Sequence, residues 1–348
     1  MYSLTQSMQL SIFYGELEEA DDPRLDPLVL RQGFCRLFAR SMQAGLFLPG
    51  LAPAKLRVLF DDQFSEAQRQ LLTEWISDED RWRRLEDKAQ EELILCGEYD
   101  IGMLTYEEIG YPQRLRTSDA PPPMLFYRGT MPDEEQLDRS LCIVGTRTPE
   151  EVFAPATALW AAGELARRGW INISGLALGC DTFGHLASLQ AGGLTGAILG
   201  NGLGRTPYPP QNMLLAELMI DKGGFLLSES IPSAEVTGTS LILRDRLQGV
   251  LGRAVFVIET DLGSGTIFTV DYTLRMDKLV FVWDPTGSGL EQESVLAGNQ
   301  MLLGRDPVPS WLSLPGKEKS DKIIPVLDGR ELISWLDGLA GVTDELKC

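Results

Sequence analysis

The sequence predicts an α/β fold: a doubly wound, mostly parallel sheet preceded by a helical domain. Short apolar runs bounded by glycine recur at 141–144, 171–173, 195–199, 225–227, 254–258 and 279–283. Stretches with helical spacing lie between them, at 154–168, 181–191, 211–222, 241–251 and 266–276. Strand and helix therefore alternate, as in a Rossmann-like sheet buried on both faces. In such sheets ligands sit beyond the carboxyl ends of the strands. Gly145, Thr146, Arg147, Ser174, Gly175, Gly200, Ser228, Glu229, Glu259 and Asp284 all fall at that edge.

The elements follow in order. Residues 1–105 read as an N-terminal helical domain, with helical periodicity over 28–44 and 65–98 and a Pro-Gly turn near Pro49 and Gly50. Arg81, Trp82, Arg83 and Arg84 form a basic patch that Asp78, Glu79, Asp80, Glu86 and Asp87 balance, so a solvated helix face is expected there. Ala120 and Pro121 to Pro123 make a stiff connector into the sheet domain, 106–290. A C-terminal extension, 291–348, is expected to hold a loop at 307–322 and a helix over 329–339.

Within the sheet domain, Ser174-Gly175-Leu176-Ala177-Leu178-Gly179-Cys180-Asp181 joins an apolar strand to a helix through small residues. Gly175 and Gly179 permit a tight turn and close backbone approach, and the first amides of the following helix offer partial positive charge. A phosphate group is the expected ligand, although an ordinary strand-to-helix turn has the same pattern.

Read together, several motifs in sequence order resemble the DprA/Smf family of DNA-processing proteins, a Rossmann-like group related to the LOG phosphoribohydrolases. They include Tyr111-Pro112, Pro122-Pro123-Met124-Leu125, Ile143-Val144-Gly145-Thr146-Arg147, Ser174-Gly175 through His185, Tyr208-Pro209-Pro210-Gln211-Asn212, Leu227-Ser228-Glu229, Arg244-Asp245-Arg246 and Ser264-Gly265-Thr266. The resemblance covers about residues 106–304. It implies a non-catalytic protein that binds single-stranded DNA or DNA ends, delivers a recombinase, RecA, onto the strand, and works as a homodimer. Carried over to matching positions, Arg147, Ser174, Gly175, Gly179, Arg244 and Arg246 contact phosphates, and Ser264, Gly265 and Thr266 supply further donors. Arginine suits this because its planar fork matches phosphate oxygens. The resemblance also implies that Asp181 and His185 organise the pocket, Asp181 as a helix cap and His185 by bonding a neighbouring loop. The residues after 322 are too few for the winged helix with which some relatives end.

The chain departs from the family pattern where Phe-Pro-x-Arg-Asn-Arg becomes Leu241-Ile242-Leu243-Arg244-Asp245-Arg246. Asp245 thereby places a carboxylate between two candidate phosphate clamps. The whole chain carries 31 Lys plus Arg against 50 Asp plus Glu, a net charge of -19, which is the opposite of the usual nucleic-acid footprint. The acidic excess is spread over all three regions. Charges beyond a Debye length of about 8–10 Å are screened, so a local arginine cluster can still hold one or two phosphates.

Other chemistries find less support. The five cysteines, Cys35, Cys96, Cys142, Cys180 and Cys348, are scattered without a Cys-x-x-Cys pair, so neither a disulfide framework nor a zinc site is expected. His185 is the only histidine and lies four residues after Asp181, too few groups for a metal site or a catalytic triad. Glu229 and Glu259 are candidate general acid or base residues on the analogy of LOG-type glycosidic cleavage. Gly263-Ser264-Gly265-Thr266, however, stands where LOG enzymes have Pro-Gly-Gly-x-Gly-Thr. No cofactor is expected. No window approaches a membrane span, and residues 1–14 lack a signal-peptide pattern, so cytoplasmic residence is expected. Three readings stay open: the DNA-binding protein with its partner, a nucleotide-ligand sensor or nucleotide-processing enzyme with a role in defence against foreign DNA, and an adaptor that has lost its ligand.

Overall fold

The computed structural model describes residues 2–20, 22–148, 153–289, 294–310 and 321–345. The expected loop at 307–322 is described only at its ends, and Cys348 lies outside the described residues. The chain divides into two compact units, one of residues 1–128, 200–206 and 227–243, the other of 129–199, 207–226 and 244–348.

The first unit is mainly helical. Its helices include Leu4–Glu16, Pro27–Gln43, Glu66–Ser77 and Glu79–Glu98. The periodic run expected over 65–98 is two helices, because Asp78 has extended backbone and its carboxylate accepts hydrogen bonds from Asp80 N and Arg81 N. That N-cap ends one helix and starts the next. Helix Leu4–Glu16 has no clear apolar periodicity, because Ser7, Gln9 and Ser11 are buried in it beside Met8 and Leu10. Its Phe13 stacks on Trp82 at 5.0 Å between ring centroids. Trp82 is thus a core residue, while Arg81 pairs with Glu16 at 2.8 Å, and Arg83 and Arg84 pair with Asp80 and Asp78. The basic patch is neutralised by its own neighbours.

Strands β1 (Gly102–Thr105) and β2 (Met124–Gly129) pair antiparallel, with Met103 opposite Phe126. In the second unit, β3 (Ser140–Val144), β4 (Ile171–Ser174), β5 (Thr195–Leu199), β7 (Ala254–Val257), β8 (Val280–Trp283) and β9 (Ile323–Val326) are the described strands besides β6 (Phe225–Ser228), whose first two residues belong to it. Their order is β5-β4-β3-β7-β8-β9, and each adjacent pair is parallel. The six expected strands are all present. The unexpected β9 lies at the end of this order and carries Pro325, a residue that edge strands accommodate because it donates no ladder bond.

One face of the sheet packs Leu141, Ile143, Phe256 and Phe281 against Ala158, Ala161, Ala162 and Leu165 of helix Phe153–Arg167 and against Leu332, Ile333 and Leu336 of helix Gly329–Glu345. Alanines at helical spacing let the backbone lie close to the strands. The last helix runs to Glu345, beyond the expected 339.

The strand order puts β4, β3 and β7 side by side, so Ser174, Val144 and Val257 end at one edge. Asn299, fully buried, ties this edge together. Its Oδ1 accepts from Thr260 N at 2.8 Å, and its Nδ2 donates to Ile258 O and Trp283 O, each at 3.0 Å. Asn299→Ala removes three hydrogen bonds to buried backbone groups. It is expected to lower unfolding free energy by at least about 1–3 kcal/mol in urea denaturation, the cost of a lost buried partner; a loss under about 0.5 kcal/mol would show that water replaces the side chain.

Candidate anion site

A cavity of about 40 Å³ lies at the carboxyl edge of β3 and β4. Its wall includes Gly145, Arg147, Asp181, Arg244, Asp245 and the Ser264-Gly265-Thr266 turn, which leads into helix Thr266–Arg275. Gln248, one helical turn on from Asp245, and Thr269 also line it, with Val144 and Ala177. Arg147 is exposed at the rim, whereas Arg244 and Asp245 are buried in the wall.

Arg244 organises the interior. It is 5 % exposed, its Nη1 donates to Ile198 O at 3.1 Å, and its Nε lies 2.9 Å from Asp245 Oδ1. Asp245 Oδ1 also accepts from Gln248 Nε2 at 2.8 Å. The guanidinium occupies the space beside Gly175, where a Cβ would stand 1.5 Å from Nη1. Gly175 is therefore required by a buried arginine rather than by close approach of a phosphate.

The glycine turn is occupied from within. Asp181 Oδ2 accepts from Gly175 N at 3.0 Å and Ala177 N at 3.2 Å. The sequence expectation of Asp181 as a helix cap is corrected: Gly179 is the N-cap of helix Cys180–Gln190, and Asp181 holds the preceding turn. Gly179 has φ +80°, and a Cβ there would meet Thr146 O at 2.3 Å. Asn212 closes the turn from outside by donating to Leu176 O and Thr182 Oγ1, both at 2.8 Å. The Pro-Pro-Gln-Asn motif thus acts on the turn, a connection that its place in the sequence does not reveal.

Several expected site residues lie elsewhere. Ser174 is fully buried, donates from Oγ to Ile143 O at 2.8 Å and lies against the Asp181 carboxyl from behind, so it is outside the cavity wall. Arg246, 3 % exposed, is not in the cavity wall; two residues from Arg244 on a helix, it faces away. Glu259 is 1 % exposed and outside the wall, although its backbone oxygen accepts from Thr146 N at 2.7 Å. Glu229 belongs to the other unit and lines a different cavity. His185 is fully buried, with Nδ1 2.7 Å from Thr195 Oγ1, whose hydroxyl donates to Asn172 O. The histidine therefore bonds a strand residue, not a loop.

Electrostatics follow from burial. Desolvation pushes the Asp181 carboxyl above its usual range, opposed by Arg244 and by the amides of Ala177 and Gly175. Burial raises Asp245 to about 7; Arg244 opposes the shift, and Asp181 adds to it. Two carboxylates share one buried guanidinium, so the second ionises reluctantly. Burial, then Arg244, lowers His185 to about 3, so it stays neutral near pH 7. Burial raises the Cys180 thiol, leaving it protonated and unsuited to nucleophilic attack. Among the described residues, no three His, Cys, Asp or Glu side chains are grouped to hold a metal ion.

The fold and this edge cavity define a Rossmann-like α/β protein with one exposed arginine over a buried charged cluster. A family model for DNA recombination-mediator protein A matches residues 102–304, and the chain belongs to that family, the DprA/Smf proteins. It is 31 % identical over 248 residues to Protein Smf of Synechocystis sp., covering 67 % of this chain and 60 % of the relative. It is also 31 % identical over 197 residues to the DNA processing protein DprA of Bacillus subtilis, covering 55 % and 65 %. The matches thus span under two thirds of these relatives' length. The solved DNA processing protein A of Streptococcus pneumoniae has the same fold, with TM-score 0.63 and 20 % identity over 87 % of this chain and 92 % of that one.

Two outcomes test the site. Gly175→Ala should displace Arg244 and cost about 1–3 kcal/mol of stability, while Gly238→Ala, with nothing within 4 Å of the new Cβ, stays within about 0.5 kcal/mol. The second concerns pH. A carboxyl with a folded-state pKa above its unfolded value favours the fold while protonated, so Asp245's contribution is complete below about pH 4 and disappears as pH rises through about 7. Asp245→Asn should flatten stability between pH 4 and 7. Sulfate, whose charge is constant from pH 6 to 8, should bind the wild type more tightly at pH 6 and the variant equally at both; pH-independent binding by the wild type would contradict this.

Proposed function

We propose that the chain binds a phosphodiester backbone without catalysing a reaction, in DNA processing linked to recombination. One phosphate rests between exposed Arg147 and the Ser264-Gly265-Thr266 turn. The observation that carries this reading is the cavity's size. At about 40 Å³ it accommodates a single phosphate group, whereas sites that enclose small molecules measure about 300–1,000 Å³. A nucleotide sensor or nucleotide-processing enzyme has to hold base and sugar as well.

The relatives support the same direction. Their names describe DNA processing, and the DNA processing protein A of Helicobacter pylori, 23 % identical with TM-score 0.53, is described by its single-stranded DNA binding mode. We assign single-stranded DNA or a DNA end as the ligand here, a recombinase or another protein as the partner recruited to it, and a cytoplasmic homodimer as the working form. Among the described residues no helix is long and apolar enough to cross a membrane.

A net charge of -19 opposes a polyanion, so binding should be modest and strongly salt-dependent. Fluorescence anisotropy with a labelled single strand, at two salt concentrations, tests this. Arg147→Ala should weaken binding about tenfold or more, as expected for one charged hydrogen-bonding contact, and reduce the log–log salt slope by about 0.7. Equal affinity and slope in wild type and variant would refute the assignment.

A further inference from the structure

A groove of about 350 Å³ lies between helices Phe153–Arg167 and Gly329–Glu345, in the same unit as the Arg147 site. Trp160, Glu164 and Arg168 line it from one side, and Arg330, Ile333 and Asp337 from the other. Its volume is in the small-molecule range.

The indole of Trp160 is held in place and yet open. Its six-membered ring fills the space beside Gly329, where a Cβ would stand 1.6 Å from Cζ3, and the side chain is still 41 % exposed. A large ring fixed by packing and facing a groove is a stacking surface prepared in advance, so a ligand that covers it pays little for ordering.

The charges in the groove leave one cation unanswered. Glu164 pairs with Arg167, and Arg168 lies 3.0 Å from Asp337. Arg330 is exposed and has no carboxylate partner among the described residues. An indole and a free guanidinium in one groove match a ligand that carries both a flat aromatic face and an anionic group.

We propose that this groove binds one nucleotide of a single strand, its base stacked on Trp160 and its phosphate on Arg330. The proposal rests on the strand-binding reading above and adds a second contact to it. Trp160 lies seven residues along a helix that begins shortly after Arg147, about 10 Å at 1.5 Å per residue. A strand that engages both points gains affinity by linkage, without any new contact. The groove shares no residue with the Arg147 cavity. A free nucleotide offers the same chemistry, and the test separates the two.

Indole N–H resonances of the nitrogen-15-labelled full chain read the site directly, the Trp160 signal being the one absent from the Trp160→Phe spectrum. Titration with an oligothymidylate of about 16 nucleotides should shift that signal saturably. Arg330→Gln should raise the midpoint at least about threefold, while Lys222→Gln, which removes an exposed cation outside the groove, should change it less than about 1.5-fold. Thymidine monophosphate should move the same signal only at a much higher concentration. In Arg147→Ala the Trp160 shift should persist at saturating strand, so loss of the Arg147 contact leaves this one readable. Thermal melting verifies that each variant is folded. An unmoved Trp160 signal beside Arg147-dependent anisotropy overturns this proposal alone. Equal weakening by Lys222→Gln, or a mononucleotide midpoint at or below that of the strand, overturns it as well.

Discussion

The Arg244 guanidinium is almost wholly removed from water, and much of the sheet edge is arranged around its need for opposite charge. A lone buried cation costs several kcal/mol, and only close carboxylates and carbonyls offset that cost. Asp245 meets Nε, Ile198 O meets Nη1, and Asp181 contributes through the field. Gly175 leaves the space that the guanidinium fills. Each residue has its place because the arginine is there.

This constraint divides the work at the edge. A glycine-rich turn before a helix ordinarily presents its amides to an external anion. Here the Asp181 carboxylate accepts from those amides, and Asn212 fixes the turn's carbonyls. The phosphate contact proposed above therefore falls to Arg147 at the rim and to the first turn of helix Thr266–Arg275, which line the same cavity. A short-range contact of this kind is compatible with an acidic chain, because distant charges are screened while those at the rim are not. Asp245 then sets how positive the rim is.

The α/β architecture was legible because buried parallel strands are continuous apolar runs that stand out between amphipathic helices. β1 is half-buried and β9 contains Pro325, so neither offers such a run. Arg147, Arg244, Asp245 and the 264–266 turn could be read from motifs and do share one cavity. Arg246 and Ser174 share those motifs but lie outside the cavity wall, Arg246 turned away by helical geometry and Ser174 buried behind Asp181. Gln248 was within reach of the sequence, since it lies three residues after Asp245 on one helix. The contacts of Asn212 and Asn299 were not, because their partners are distant in the chain.

The sharing of one buried guanidinium by two carboxylates can be measured directly. With aspartate labelled at the side-chain carboxyl carbon, the resonance absent from the Asp245→Asn spectrum identifies Asp245, and its shift can be followed from pH 3 to 9. A midpoint near 7 is expected from burial beside Asp181. A midpoint in the ordinary carboxylate range, near 4, would mean that Asp245 is solvated or that Arg244 alone governs it, and would contradict the arrangement described here.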